Sequence, residues 1–255
     1  MKITISSLQS LKQKKEPIAM LTSYDASLAA VSVKAGVEVL LIGDSLGNTI
    51  QGRETTMAVT LNDMAYHTEC VSRVASSVFI VTDLPFMSYA SLEQAFSSSQ
   101  QLMQAGAMMV KLEGGQWLTE TIKQLTDRGV PVCAHLGLTP QSVHKLGGFK
   151  RQAKDEISAR QLLEDAKTIA NAGAQLLVLE CIPEQLAAEV AASVTIPVIG
   201  IGAGKETDGQ VMVVQDILGL SEPCPGFAKN FLSETNSIET AIQNYVIAVK
   251  NKSFP

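Results

Sequence analysis

Four carboxylates stand at the ends of apolar runs of the sequence, where they could share one catalytic site. They are Asp44, Asp83, Glu113 and Glu180. Bare carboxylates that converge repel one another, so such a group needs a cation. Oxygen-only ligands suit a hard metal ion, and Mg²⁺ is the natural choice. The competing interpretation is that each acid only caps the next helix. It holds more easily for one acid than for all four.

Lys111 and Ser45 accompany these acids. Lys111 precedes Glu113 by two residues, so both side chains leave their strand on the same face. A lysine at that depth needs an acidic or anionic partner. We interpret Lys111 as the partner of a substrate carboxylate, with a structural ion pair and Schiff-base formation as alternatives. Ser45 follows Asp44 directly, and it is either a substrate contact or a turn hydroxyl.

Histidines and glycines supply the remaining candidates. His135 ends an apolar run and is a general acid/base, a hydrogen-bond donor to substrate or a satisfied core histidine. We interpret His67 as structural, in the middle of a helix, and His144 as a surface residue in a loop. The glycine-rich segment 200–204 could cradle phosphate or only allow tight packing. It lacks the spacing of a dinucleotide-binding fingerprint.

The runs that carry these residues alternate with amphipathic stretches. They are β-branched or leucine-rich and apolar on both parities, which is typical of parallel strands covered on both faces. The runs are Ile18–Tyr24, Val37–Asp44, Val78–Asp83, Met108–Glu113, Val130–His135, Gln175–Glu180, Ile196–Gly202 and Gln210–Val214. Eight such strands predict an α/β fold of the (β/α)8 TIM-barrel type, in which all strand ends open onto one face. A doubly wound open sheet would leave the later units unexplained.

The spacers predict helices with a recurring end. Ala26–Lys34, Ser91–Gln104 and Asp155–Asn171 are each followed by Ala-Gly and then Ala or Val. That pattern indicates helices that stop at a left-handed residue. We also expect an extra N-terminal helix over Ser6–Lys15 and a C-terminal helix near Ser237–Lys250. No low-complexity linker interrupts the pattern, so residues 1–255 are predicted to form a single catalytic domain.

Composition narrows the classes of function. Hydrophobic residues make up 46% of the 255 residues, enough for one large core. The net charge of −5, without a basic stripe, disfavours a nucleic-acid partner. No apolar run approaches the roughly 20 residues of a membrane span, and we see no secretory signal. The four cysteines form no CxxC pair, which favours a reducing, cytoplasmic location over a zinc or disulfide framework.

Six ordered segments resemble a known family. They are Gly43–Gly47, Asp83–Met87, Val110–Gly115, His135–Gln141, Leu179–Pro183 and Ile199–Gly204, and Phe227–Phe231 belongs with them. In their order and spacing they resemble the ketopantoate hydroxymethyltransferases, from about Thr22 to Phe231. The chain departs from that family at Phe149, where the family has tyrosine, and it lacks the family's histidine near Arg53.

The resemblance implies a barrel of the phosphoenolpyruvate-mutase-like group and a step of pantothenate biosynthesis. A hydroxymethyl group would pass from 5,10-methylenetetrahydrofolate to 3-methyl-2-oxobutanoate, giving 2-dehydropantoate, by an aldol-type addition of a Mg²⁺-stabilised enolate. One Mg²⁺ ion per subunit is implied. Family members are usually large homo-oligomers, commonly decamers.

The resemblance also implies a role for each candidate residue. It implies a Mg²⁺ site at Asp44, Asp83 and Glu113, formed in part through water. Keto-acid contacts are implied at Asp44, Ser45, Asp83 and Lys111. Glu180 would be the proton acceptor, and we add His135 as a further polar contact.

A Mg²⁺-dependent keto-acid lyase or mutase of the isocitrate-lyase type is the alternative function. Such enzymes use a catalytic cysteine loop or a phosphonate pocket. The chain has no Lys-Lys-Cys-Gly-His stretch. A non-catalytic barrel, kept only for ligand binding or assembly, is a third hypothesis. It predicts the loss of some strand-end acids, whereas all four are present.

Overall fold

The computed structural model describes residues 2–254. Its centre is a closed barrel of parallel strands that follow one another in chain order. The strands are β1 (Ile18–Thr22), β2 (Val39–Ile42), β3 (Phe79–Asp83), β4 (Met109–Glu113), β5 (Val132–Gly137), β6 (Leu176–Glu180), β7 (Val198–Ile201) and β8 (Gly209–Met212). Strand β8 pairs with β1 from Ile18↔Gly209 to Leu21↔Met212 and closes the ring. The predicted (β/α)8 barrel is therefore confirmed, and the open sheet is wrong.

Helices surround this barrel. They are α1 (Ile5–Lys14), α2 (Ala26–Lys34), α3 (Leu46–Thr49), α4 (Leu61–Ser72), α5 (Leu92–Gln104), α6 (Thr119–Asp127), α7 (Val143–Leu146), α8 (Glu156–Asn171), α9 (Glu184–Ser193), α10 (Val214–Ile217) and α11 (Ile238–Lys250). Short 3₁₀ turns lie at Thr56–Ala58, Gln116–Leu118, Pro140–Ser142 and Leu232–Glu234. No helix within residues 2–254 combines the length and the hydropathy that crossing a membrane requires.

The strands are short and covered on both sides. Every residue of β1 to β4 is buried, because side chains fill the barrel interior and helices cover its outside. The apolar runs on both parities therefore predicted the strands correctly, although the runs extend beyond the paired residues. The prediction was wrong in detail at β2, which ends at Ile42. Asp44 lies two residues further on, in the turn before α3.

The predicted helix ends are confirmed. At the end of α2, Gly36 has a φ of 92°, and the N–H of Val37 returns to the carbonyl of Ser32 at 3.2 Å. Gly106 and Gly173 follow α5 and α8 with a φ of 113° each. Glycine adopts a positive φ without steric penalty. In this conformation the N–H groups that follow the helix can bond to its last carbonyls as the chain turns into the next strand.

Both terminal helices are also present and pack on the barrel. Helix α1 begins at Ile5, one residue before the predicted start, because Thr4 caps it. Helix α11 lies over the seam where β1 meets β8. The hydroxyl oxygen of Tyr245 lies 2.7 Å from the carbonyl oxygen of Met20 and 3.0 Å from that of Gln210, so its one hydrogen is shared between these two acceptors. The C-terminal helix thus ties the first strand to the last.

Two histidines outside the barrel mouth behave as structural groups. The ring nitrogen Nδ1 of His67, in α4, lies 2.6 Å from the carbonyl of Tyr24 and fixes that helix to the turn after β1. His144 is exposed. It lies in the one-turn helix α7 rather than in the loop that we predicted.

Candidate active site

The four strand-end acids meet at one end of the barrel. Asp83, Glu113 and Glu180 are the last residues of β3, β4 and β6, and Asp44 follows β2. All four line one cavity of ≈ 1110 Å³, which opens where the strands end. Parallel strands send their carboxyl ends to the same face of a barrel, so residues far apart in the chain become neighbours. Lys111, Ser45 and His135 line the same cavity.

Asp44, after β2, and Asp83, at the end of β3, are buried and in contact. As whole residues, Asp44 and Asp83 are each 3% exposed. The backbone N–H of Asp44 donates a 3.0 Å hydrogen bond to Oδ2 of Asp83. Burial raises the pKa of Asp44 well above its ordinary value, and repulsion from Asp83 and Glu113 raises it further. Both effects disfavour the ionised form of Asp44 in the metal-free site, so a bound cation would stabilise two ionised acids there.

Lys111 lies between two of the acids. Its Nζ is 2.9 Å from Oδ1 of Asp83 and 3.7 Å from Oε1 of Glu113. Asp83 and Lys111 are direct partners in the β3–β4 pairing. Burial disfavours the charge on this lysine, but attraction to Asp83 and Glu113 raises its pKa above the ordinary value. Lys111 is therefore a cation, held as an ion pair that a substrate carboxylate would have to join.

His135 bridges the acids of β4 and β6. Its Nδ1 lies 3.2 Å from Oε1 of Glu113, and its Nε2 lies 3.3 Å from Oε2 of Glu180. Burial and the nearby Lys111 charge oppose protonation, but the contacts with Glu113 and Glu180 prevail and raise the pKa of His135 to about 9. The geometry is that of a buried histidine held between two carboxylates of the cavity, and it is compatible with each of the three roles considered above.

Gln141 and Tyr89 also contact the acids of the site, although we did not predict them from the sequence. The amide Nε2 of Gln141 donates to Oδ2 of Asp44 at 2.9 Å, and its backbone N–H donates to Oε2 of Glu113 at 3.0 Å. The Tyr89 hydroxyl donates to Oε1 of Gln141 at 2.6 Å. Gln141 therefore orients two acids at once. In the sequence, Gln141 is noticeable only as the last residue of the segment His135–Gln141. No residue spacing there indicates that it belongs to a site.

Ser45 lies beside Asp44 at the start of α3. Its hydroxyl is 2.8 Å from that of Tyr24. Burial raises the pKa of Tyr24 to about 12, so this phenol stays protonated at neutral pH. Ser45 thus has a partner and still lines the cavity, which is compatible with both roles considered for it.

The glycine-rich loop after β7 is tightly packed. A Cβ at Gly202 would lie 2.8 Å from the ring of Phe227, and one at Gly204 would lie 2.2 Å from the side chain of Glu184. These neighbours fill the space beside the glycines. The structure therefore favours the packing interpretation of this loop over a phosphate cradle.

A divalent ion fits the donor set of the floor, although the ligands do not form a complete shell. Within residues 2–254, no three side chains of His, Cys, Asp or Glu are already arranged to hold a metal. Oδ1 of Asp83 is buried and, among the described residues, accepts no well-aligned hydrogen bond despite its contact with Lys111. Mg²⁺ commonly binds through one or two carboxylates and takes its other oxygens from water and substrate. Asp44 and Asp83 meet that need. Glu113, whose two oxygens are engaged by His135 and Gln141, suits a contact through water.

Comparisons with known proteins agree on one family. The model of ketopantoate hydroxymethyltransferase matches residues 2–255. A relative from Shewanella amazonensis (strain ATCC BAA-1098 / SB2B), named 3-methyl-2-oxobutanoate hydroxymethyltransferase, is 54% identical over 100% of this chain and 97% of its own length. One of the same name from Methylobacillus flagellatus is 57% identical over 99% of this chain and 97% of its own length.

Solved structures share the barrel at much lower identity. A putative phosphonomutase from Burkholderia cenocepacia J2315 superposes with a TM-score of 0.67 at 19% identity, covering 86% of this chain and 96% of that one. A phosphonopyruvate hydrolase in complex with oxalate and Mg²⁺ gives a TM-score of 0.64 at 9% identity, over 84% of this chain and 83% of that one. These similarities establish the fold alone.

Proposed function

Because the chain belongs to the ketopantoate hydroxymethyltransferase family, we propose that it transfers a hydroxymethyl group from 5,10-methylenetetrahydrofolate to 3-methyl-2-oxobutanoate. The product is 2-dehydropantoate, and the pathway is pantothenate biosynthesis. The observation that carries the proposal is the meeting of Asp44, Asp83, Lys111 and Glu180 around one cavity in a chain that matches relatives of that name along its whole length.

Mg²⁺ is the proposed cofactor, one ion per subunit. The buried acids Asp44 and Asp83 would hold it directly, and Glu113 would hold it through water. The cost of ionising both buried acids in the absence of a cation supports this assignment. When bound, Mg²⁺ supplies Lewis-acid stabilisation of the negative charge that develops on the substrate ketone.

The keto acid is held by charge and by hydrogen bonds. Lys111, kept protonated between Asp83 and Glu113, is placed to offset the charge of the substrate carboxylate. Ser45 offers its hydroxyl beside Asp44, and Asp44 and Asp83 complete the contacts. This role leaves no need for a Schiff base on Lys111. A Schiff base would withdraw electrons from the substrate, and a metal held by the acids of the floor would do the same.

Glu180 is the proposed base that removes the C3 proton of the keto acid. It ends β6, whereas the proposed metal ligands stand on or after β2, β3 and β4. Its side chain is 15% exposed, compared with 4% for Asp83 and 2% for Glu113. A carboxylate bound to a metal would be a poor base, so separation from the ligands suits the task. His135 contacts Oε2 of Glu180 and serves to orient it.

Water must supply the hydroxyl oxygen of the transferred group. Its addition to the methylene bridge of the folate breaks both C–N bonds and gives tetrahydrofolate and formaldehyde. The carbon nucleophile left by proton removal then adds to the formaldehyde carbon, and the carbonyl oxygen takes up a proton to become the hydroxyl group. The cavity walls on the β7 and β8 side, including Phe227 and Met212, would enclose the two reactants during the carbon–carbon step. The low-identity similarity to mutases and hydrolases supports no more than the barrel, so a lyase or mutase activity is the weaker candidate.

The assembly and location of the enzyme are proposed on the same basis. We propose one catalytic domain, a homo-decamer, a cytoplasmic location, and neither nucleic-acid nor membrane partners. Several large apolar side chains are exposed, among them Tyr66, Trp117 and Ile157, and burial against further copies would cover such surface. Sedimentation analysis at several concentrations tests the oligomer.

Product formation is the decisive test of the function. Purified protein with Mg²⁺, 3-methyl-2-oxobutanoate and 5,10-methylenetetrahydrofolate should form 2-dehydropantoate, detected by mass spectrometry. The reaction should stop when EDTA is added and resume with excess Mg²⁺. Absence of product with correctly folded, metal-loaded protein would refute the proposal.

A further inference from the structure

The cavity is larger than one small keto acid can fill. Its volume of ≈ 1110 Å³ lies at the upper end of, and slightly above, the roughly 300–1,000 Å³ that is usual for small-molecule sites. Asp83 on β3, Glu113 on β4, Glu180 on β6 and Asp44, just after β2, occupy its floor. Strand β8 stands four positions from β4 in the closed ring, so its end forms the wall across the mouth from Glu113. The proposed keto-acid residues do not use that wall.

Two polar side chains on this wall, Gln215 and Asp216, have no assigned role. They lie on α10, directly after β8, and both line the cavity. Gln215 is 8% exposed and Asp216 5%. Oε1 of Gln215 is buried and accepts no hydrogen bond from residues 2–254. Buried acceptors nearly always have a partner, so an unpaired one on a residue of the cavity wall indicates a donor that the described residues do not supply.

Asp216 adds a second acceptor beside the first. Burial raises the pKa of its carboxyl, which the Ser221 hydroxyl only partly opposes. An ionised carboxylate at such a place is stabilised when paired donors reach it. Carboxylates match two parallel N–H groups in a bidentate arrangement. The ligand expected here thus presents two adjacent N–H donors and a further N–H for Gln215.

We propose that Gln215 and Asp216 form the subsite for the pterin ring of 5,10-methylenetetrahydrofolate. The pyrimidine edge of that ring carries N3–H next to a 2-amino group. Asp216 would accept from N3–H and from one amino hydrogen, and Oε1 of Gln215 would accept from the other. The inference rests on the proposed function, and it assigns residues to the folate that the resemblance left without a site.

The surrounding wall suits a flat ring. Phe227 lines the cavity, and its own ring is packed against Gly202. Pro223 and Pro225 line the same cavity. An apolar wall with a few converging polar groups is the usual construction of a cofactor site. The reacting carbon would then point from the β8 wall toward the floor, where the keto acid lies.

The test separates folate recognition from the rest of the reaction. Asp216→Asn and Gln215→Met should each raise KM for 5,10-methylenetetrahydrofolate about tenfold or more. Exchange of the C3 proton of the keto acid in D₂O, measured by NMR without folate, should stay within about twofold of the unchanged protein. The matched control is Gln175→Met. Gln175 also has a buried, unpaired Oε1 among the described residues, but it precedes β6 at the opposite end of the barrel and should leave both measurements unchanged.

An altered co-substrate supplies the second arm. The analogue of 5,10-methylenetetrahydrofolate that lacks the 2-amino group should lose about tenfold in kcat/KM with the unchanged protein. With Asp216→Asn it should lose little further, because the partner is already gone. Fully additive losses, an unchanged folate KM in both variants, or loss of C3 exchange in Asp216→Asn would each overturn the inference. If the unchanged protein forms no 2-dehydropantoate at all, the proposed function itself fails.

Discussion

The side-chain amide of Gln141 donates a 2.9 Å hydrogen bond to Oδ2 of Asp44, across 97 residues of chain. The backbone N–H of the same glutamine holds Oε2 of Glu113, and the hydroxyl of Tyr89 holds its amide oxygen. One residue thus sets the distance and orientation between two proposed metal ligands. Such outer partners often decide how well a site binds its metal.

Removing this amide should weaken the metal site without removing a ligand. Gln141→Leu is expected to lower Mg²⁺ affinity by roughly 10- to 100-fold, because Asp44 loses its donor and Tyr89 loses its acceptor. Isothermal titration with Mg²⁺ in the presence of 3-methyl-2-oxobutanoate measures the change. Gln185→Leu, at an exposed position of α9, is the control. Equal affinities for the two variants would contradict the orienting role.

Glu180→Gln should separate chemistry from binding. The variant keeps the shape of the side chain but cannot accept the C3 proton, so exchange of that proton in D₂O should be abolished. Mg²⁺-dependent binding of the keto acid should remain largely intact, as followed by titration calorimetry. Glu189→Gln, exposed on α9, should exchange normally. Normal exchange in Glu180→Gln would remove this residue from the role of base.

Asp83→Ala should weaken metal and substrate binding together. The change removes a proposed ligand and also leaves the buried Lys111 without its 2.9 Å partner. Thermal stabilisation by 3-methyl-2-oxobutanoate, measured with and without Mg²⁺, should fall toward zero. Asp127→Ala, at the exposed end of α6, should retain the full stabilisation. If Asp83→Ala lost metal binding but kept metal-independent stabilisation by the keto acid, the joint site would be wrong.

His135 should make stability depend on pH in the metal-free protein. Its pKa is raised from 6.5 to about 9, so protonation favours the folded state. This contribution is complete below about pH 6.5, and it is lost as pH rises through about 9. A shift of this size corresponds to about 3 kcal/mol. Between about pH 6 and pH 10, the free energy of unfolding should therefore fall more for the unchanged protein than for His135→Gln, by that amount.

NMR titration of the imidazole provides the direct measurement for the same residue. Glu113→Gln removes a negative charge 3.2 Å from Nδ1, so the pKa of His135 should move down, toward its ordinary value. A midpoint near that of a free histidine in the unchanged metal-free protein would show that the two carboxylates do not act on it.

Gly137 packs closely against the backbone of the proposed base, Glu180. Its φ is 93°, and a Cβ there would lie 2.3 Å from the carbonyl oxygen of Glu180. Gly137→Ala should therefore combine backbone strain with a clash and cost about 3 kcal/mol of unfolding free energy. Gly129→Ala, with a φ of 82° and no atom within 4 Å, should cost about 1 kcal/mol. Urea unfolding compares them, and equal losses would contradict the close approach.

The elements of the fold were predictable because local rules specify them. Apolar runs on both parities identify strands that are covered on both faces, and the Ala-Gly endings identify helices that stop at Gly36, Gly106 and Gly173. Eight such units close only as a parallel barrel, and that topology sends every strand end to one face. The convergence of Asp44, Asp83, Glu113 and Glu180 was therefore already implied by the sequence.

The sequence by itself thus determined which strands form and which acids stand at or just after their ends, since both depend on residues adjacent in the chain. Only the tertiary structure decided how those acids are held. Gln141 reaches Asp44, His135 lies between Glu113 and Glu180, and Lys111 pairs with Asp83. These contacts join separate strands and loops, and their distances depend on barrel closure and on side-chain direction. No residue spacing along one chain encodes such distances.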